Sequence, residues 1–106
     1  MSDAQSISVG DPSFAVVDVP ELTRFELLLD GQRIGLADYV VDAAGNYVFP
    51  HVEIDPAFGG RGYGGVLVRA AMDAMRQRDA RVVAVCPFVV SWLDQHREYA
   101  DLVAHR

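Results

Sequence analysis

The chain has 106 residues, 51% hydrophobic and 23% charged, with a formal net charge of −6 at pH 7. That is one domain with enough apolar side chains for one continuous core, and its acidity excludes general nucleic-acid binding, which needs a cationic surface to displace counterions. All nine basic side chains are arginine and Cys86 is the single cysteine, which excludes a P-loop or Schiff-base lysine and an internal disulfide.

There is no apolar run of membrane-spanning length and no basic-then-apolar leader after Met1, so the expected compartment is the cytoplasm. Residues 1–13 are polar and turn-rich and read as a flexible N-terminus. A β-rich run follows over 14–19, broken by Pro20-Glu21-Leu22-Thr23, and a second run covers 24–29. Asp30-Gly31 is a strong hairpin signal, because both central positions of the tight turn favour positive φ. Its partner strand is expected over 33–41, and a turn at 42–46 leads to another strand over 47–54. Pro50 lacks an N–H, so it marks an edge or a bulge in that strand. The run at 14–19 offers an exposed edge to a second copy, which makes a monomer or weak homodimer the expected state.

The most informative stretch comes next: Asp55-Pro56-Ala57-Phe58-Gly59-Gly60-Arg61-Gly62-Tyr63-Gly64-Gly65-Val66. Glycines let the backbone take positive φ and approach a ligand closely, and the first amides of a helix lack partners and favour an anion. A diphosphate suits such a place. The helix is expected from Gly64 to about Arg78, with Leu67, Ala70, Ala71, Ala74 and Met75 at helical spacing and Arg69 and Asp73 four apart on another face. Arg76, Arg78 and Arg81 crowd its far end, where the dipole prefers cations, and are not read as a binding patch. Residues 82–86 are apolar, as in a strand covered on both faces, and strand–helix–strand connectivity makes them parallel to 47–54. Helical spacing returns over 88–96, with Trp92 expected in the core, and 98–103 forms a last turn or two. The fold class is therefore α+β (mixed α/β), an antiparallel meander running into a strand-helix-strand-helix unit.

Two phosphate-binding alternatives fail on context. Gly60, Gly62 and Gly65 satisfy the dinucleotide-binding spacing, but that fold needs further βαβ units and an acidic residue about twenty positions on, where Val85 and Cys86 stand. A P-loop needs Lys-Ser or Lys-Thr after its glycines, and here Gly65-Val66 follows.

Four pieces carry a resemblance to the GNAT acyltransferase superfamily, and more closely to its small stand-alone members, over about residues 24–103. They are Arg24-Phe25-Glu26-Leu27 with Asp30-Gly31; His51-Val52-Glu53-Ile54; Arg61-Gly62-Tyr63-Gly64 leading to Leu67-Val68; and Cys86-Pro87-Phe88-Val89 followed by His96, Glu98, Tyr99, Asp101 and Leu102. The sequence departs from the pattern at Gly59, where Gln or Arg is usual, and at Arg97, where the small subgroup often has Pro.

The resemblance implies a single GNAT-like domain over residues 14–106 and an acetyl-CoA-dependent N-acetyltransferase. Acetyl-CoA or coenzyme A is the cofactor, and a small amine or a peptide or protein amine is the acceptor; neither nucleic acid nor membrane is an expected partner, and no metal. By the same resemblance the amides of Gly60, Arg61, Gly62, Tyr63, Gly64 and Gly65 wrap the diphosphate, and the extended backbone of Val52, Glu53 and Ile54 pairs with the pantetheine amides. The oxyanion would lie near an amide of that strand. His51 and Glu53, two apart on a strand, share a face and pair a candidate base with a candidate orienting carboxylate. Cys86 precedes a helix, where the dipole favours a thiolate; it either carries an acetyl-cysteine intermediate or only lines the acetyl tunnel. A non-catalytic CoA- or acyl-CoA-binding module is the alternative function.

Overall fold

The computed structural model describes residues 5–8 and 13–104. Expectations placed on residues 1–4, 9–12 and 105–106 lie outside the described residues. The strands are β1 (Gln5–Ser8), β2 (Phe14–Val19), β3 (Arg24–Leu29), β4 (Gln32–Val41), β5 (Tyr47–Ile54) and β6 (Val82–Ala84), with helices α1 (Tyr63–Gln77) and α2 (Pro87–Gln95) and a closing 3-10 segment, Arg97–Leu102. They form one six-stranded sheet in chain order, antiparallel from β1 to β5 and parallel between β5 and β6. This is the expected meander followed by a strand-helix-strand-helix unit.

The polar start contains a strand that composition does not announce. β1 pairs with β2 along Gln5↔Asp18 to Ser8↔Ala15, so the edge of β2 is covered by this chain rather than left open for a second copy. At the hairpin, Asp30 has φ 50° and Gly31 φ 83°, and Leu29 faces Gln32, which is the two-residue turn that Asp-Gly favours.

Alternation along the strands decides where the core sits. Val16, Phe25, Leu27, Tyr39 and Phe49 are buried, while Ala15, Val17, Glu26 and Leu28 between them are half-buried, as on a sheet face without a covering layer. Against the buried set α1 lays Leu67, Val68, Ala71, Met72 and Met75, and α2 adds Val89, Trp92 and Leu93. Gly35 lets β5 close on β4: a Cβ there would stand 2.6 Å from Ile54 Cδ1 and 3.0 Å from the Glu53 carbonyl oxygen. β6 is shorter than its apolar run. Val85 at its end is exposed, so only part of the run is covered on both faces, and the chain returns to β6 through a parallel bridge between Val82 and Val103.

Candidate active site

The site begins with one extra residue. Asp38 pairs with His51 and Val40 with Val48, so the single residue Tyr39 faces two residues, Phe49 and Pro50. That is a β-bulge at the proline, where the ring has no N–H to give a ladder. Before it, Tyr47 N–H donates to Arg81 O at 2.8 Å on the β6 side. After it, Asp55 N–H donates to Ile34 O at 2.8 Å on the β4 side, which with the register assigns the backbone groups of His51 and Glu53 to β4 and those of Val52 and Ile54 to the opposite edge.

That opposite edge has lost its neighbour. Along β5, β6 pairs with Tyr47, Val48 and Phe49 and no further, and the Phe49 carbonyl then accepts from both Val85 N at 3.2 Å and Cys86 N at 3.0 Å. There the strands part, and among the described residues none pairs with the Val52 and Ile54 edge. A free row of alternating N–H and C=O groups is what an extended amide chain such as pantetheine pairs with.

The edge leads to the glycine loop. Asp55 Oδ1 accepts from Ala57 N at 2.9 Å and starts the 3-10 turn Pro56–Phe58; Gly60 (φ 75°) and Gly62 (φ 81°) then bend the chain into α1. Beside Gly60 and Gly62 a Cβ would meet nothing within 4 Å, so the space there is open and the glycines answer the backbone conformation. No side chain caps α1 and its first turn holds no acidic residue. Among the described residues the amides of Tyr63, Gly64 and Gly65 therefore have no acceptor, and the first turn brings no counter-charge of its own to the positive end of the helix. Arg61 is exposed beside them. The Tyr63 ring packs between Phe14 at 5.1 Å and Phe58 at 6.2 Å, holding the loop while its amide stays free. Gly64 and Gly65 serve another purpose as well: a Cβ on Gly64 would stand 2.9 Å from the Phe88 ring and one on Gly65 3.5 Å from Trp92 Nε1. These residues fit a bound diphosphate.

The structure brings His51 and Glu53 together as their spacing implies. His51 Nε2 lies 3.0 Å from Glu53 Oε1, and the two side chains are 53% and 61% exposed. With Nε2–H donating to that carboxylate, Nδ1 is left with a lone pair. Cys86 is 8% exposed, belongs to the hydrophobic core and is the N-cap residue of α2. Its backbone is fixed where β5 and β6 part, because its N–H donates to Phe49 and its carbonyl accepts from Val90 N at 3.0 Å.

Two clusters escape a reading by sequence. Asp18, 4% exposed, accepts from Tyr39 OH at 2.7 Å and from Arg78 Nη2 at 2.6 Å. It joins β2, β4 and the C-terminal end of α1. Burial first, and then the bond to Asp18, pushes the Tyr39 hydroxyl well above the usual tyrosine range. The second cluster lines a cleft of about 730 Å³ between α1 and α2, with Gly65, Arg69 and Asp73 on one side and Phe88, Trp92 and His96 on the other. Arg69 and Asp73 meet not as a direct ion pair but through Tyr99, whose hydroxyl donates to Asp73 Oδ1 at 2.6 Å and accepts from Arg69 Nη1 at 3.2 Å. Arg76 and Arg81 are tied to Asp101, Arg76 through the carboxylate and Arg81 through the carbonyl. Among the described residues no group of three or more His, Cys, Asp and Glu side chains could hold a metal ion, and no helix is long and apolar enough to cross a membrane.

A bulged strand parting from a parallel neighbour and feeding a glycine loop and an uncapped helix defines an acyltransferase core of the GNAT type. A sequence model described as GCN5-related N-acetyl-transferase matches residues 24–102, and the chain belongs to this family of N-acetyltransferase enzymes. No curated protein sequence matches it. Among solved structures it is similar to an aminoglycoside acetyltransferase from an uncultured soil metagenomic sample, in complex with trehalose. The identity is 14% and the TM-score 0.47, over 92% of this chain and 63% of that one. The chain thus spans less than two thirds of that structure's length.

Proposed function

We propose that the protein transfers the acetyl group of acetyl-CoA to an amine. The observation that carries this reading is the free Val52 and Ile54 edge running from the Pro50 bulge to the uncapped start of α1. Its two ends suit the two ends of one cofactor: extended amides on the strand, diphosphate on the helix. Acetyl-CoA, when bound, supplies an acetyl group activated as a thioester. The chain's own groups do the rest. The amides of residues 60–65 and Arg61 hold the diphosphate, and the Val52 N–H is a donor for a developing oxyanion. His51 Nδ1 takes a proton from the acceptor ammonium, and Glu53 fixes the ring at Nε2 and stabilises the imidazolium.

Cys86 stands where the strands part, which keeps two routes in play. In one the amine attacks the thioester carbonyl directly and expels the CoA thiolate; in the other Cys86 Sγ attacks it, expels the CoA thiolate and is itself displaced from the acetyl group by the amine, the departing thiolate taking up the proton that the amine loses. Unaltered turnover in Cys86→Ala removes the second route. The exposure of His51 and Glu53 favours one further reading, a module that binds CoA without transferring from it. The deciding experiment is a thermal-shift comparison of acetyl-CoA, CoA, NAD and ATP, followed by a panel of amines with detection of released CoA thiol. Stabilisation by acetyl-CoA and CoA alone, with thiol release, supports the transferase. Stabilisation without release on any amine supports the binding module, and no stabilisation by CoA overturns both.

A further inference from the structure

We propose that Asp38 binds the acceptor's ammonium and that the apolar strip beside it seats the acceptor's carbon skeleton. The acceptor is then a singly charged aliphatic amine with an apolar body, not a polycation. This rests on the reading of His51 and Glu53 as the proton-accepting pair of an acetyltransferase.

The sheet face turned away from α1 and α2 has no covering layer, and His51 and Glu53 stand on it in the open. Asp38 lies directly opposite His51 in the register of β4 with β5, so the two side chains share that face with their Cβ atoms about 5 Å apart. That leaves room for one nitrogen within hydrogen-bond reach of both. Asp38 is half-buried, and among the described residues it has no hydrogen-bond or ion-pair partner. Arg24, which faces it from β3, is turned instead to Glu26, with Nε and Nη2 both 2.8 Å from Oε2. A half-buried, unpaired carboxylate beside a base is complementary to a protonated amine. The ammonium docks on Asp38 and gives a proton to His51 Nδ1, and the electron pair left on the amine nitrogen is free to attack.

Next along the same face the side chains are apolar. Val40 pairs with Val48 and Val48 with Val83; Pro50, exposed at the bulge, lies between this row and His51, and Val85 follows Val83 by two. Val40 and Val85 are 57% and 56% exposed, so the strip is bare. A second cation finds no carboxylate waiting for it, because the neighbouring ones are engaged elsewhere. Glu26 holds Arg24 and Glu53 holds His51, Asp55 Oδ1 accepts from Ala57 N, and at the far end of the strip Asp42 Oδ1 accepts from Ala44 N and Asn46 N.

Steady-state kinetics with three amines tests the assignment: hexylamine has the body and one charge, hexamethylenediamine the same body and a second charge, methylamine the charge alone. The wild type is expected to use hexylamine with a kcat/KM about tenfold above either of the others. Asp38→Asn is expected to raise KM for hexylamine about tenfold and to leave KM for acetyl-CoA unchanged. Val40→Ser, at an exposed position, should raise KM for hexylamine and leave that for methylamine as it was. A melting temperature raised by acetyl-CoA as in the wild type shows that each variant is folded and keeps its donor site. Equal or better use of hexamethylenediamine or methylamine by the wild type, or an unchanged KM for hexylamine in Asp38→Asn, overturns the proposal while the transferase reading stands. So does transfer to some other amine with none to these three. Absence of thiol release on any amine overturns the transferase and this proposal together.

Discussion

At the scale of single residues, the chemistry of the site is divided between groups that spacing reveals and groups that only the fold brings together. His51 and Glu53 are two apart on a strand, and the 3.0 Å contact between them follows from strand geometry. If Nδ1 of His51 is the base, His51→Ala should lower kcat about 100-fold with little change in KM for acetyl-CoA; steady-state kinetics checks this, and an unchanged kcat removes the assignment. Asp18 was legible only as a polar residue inside a β-rich run, because its partners Tyr39 and Arg78 lie 21 and 60 positions away. Asp18→Ala leaves a half-buried guanidinium without its carboxylate and is expected to cost about 3 kcal/mol of stability, measured by urea unfolding. Trp92 and His96 were likewise readable as one helical face, but nothing local says that this face also borders a cleft with Arg69.

At the scale of elements, the sequence speaks through backbone chemistry. Asp30-Gly31 gave the turn and its register, and Pro50 the bulge, because positive φ and a missing N–H are properties of the residues themselves. β1 was not legible: Gln5-Ser6-Ile7-Ser8 has no apolar alternation, and its pairing is supplied by β2. A chain beginning at Gly10 should therefore expose the β2 edge and self-associate, seen as an earlier elution in size-exclusion chromatography. Gly35 marks a close approach between β4 and β5. With the Glu53 carbonyl only 3.0 Å from an added Cβ, Gly35→Ala must push β4 away from β5 and is expected to destabilise by about 1–3 kcal/mol, again by urea unfolding. Gly62→Ala meets no neighbour and should lose only about 1–2 kcal/mol to its left-handed φ.

For the whole molecule, the buried hydroxyls predict how stability responds to alkali. Tyr39 and Tyr99 both keep their protons beyond the usual value of 10.0, in each case through burial first and a carboxylate partner second. The unfolded chain releases those protons near that value, so above it the folded state binds more protons and stability falls as pH rises. Below about pH 9 the contribution is complete. Tyr39→Phe should flatten the alkaline decline in melting temperature, and an unchanged slope would show that Tyr39 does not govern it. The bulge bears on the whole chain differently. Since the ladder between β4 and β5 is interrupted by one surplus residue, the arrangement depends on a count rather than on a side chain. Exchanging Pro50 for another amino acid preserves that count; deleting it leaves Asp38 opposite His51 and Val40 opposite Val48 but evens the ladder, and so removes the irregularity beside which β5 leaves β6. Descendants of this sequence can drift freely in composition at that spot but not in length.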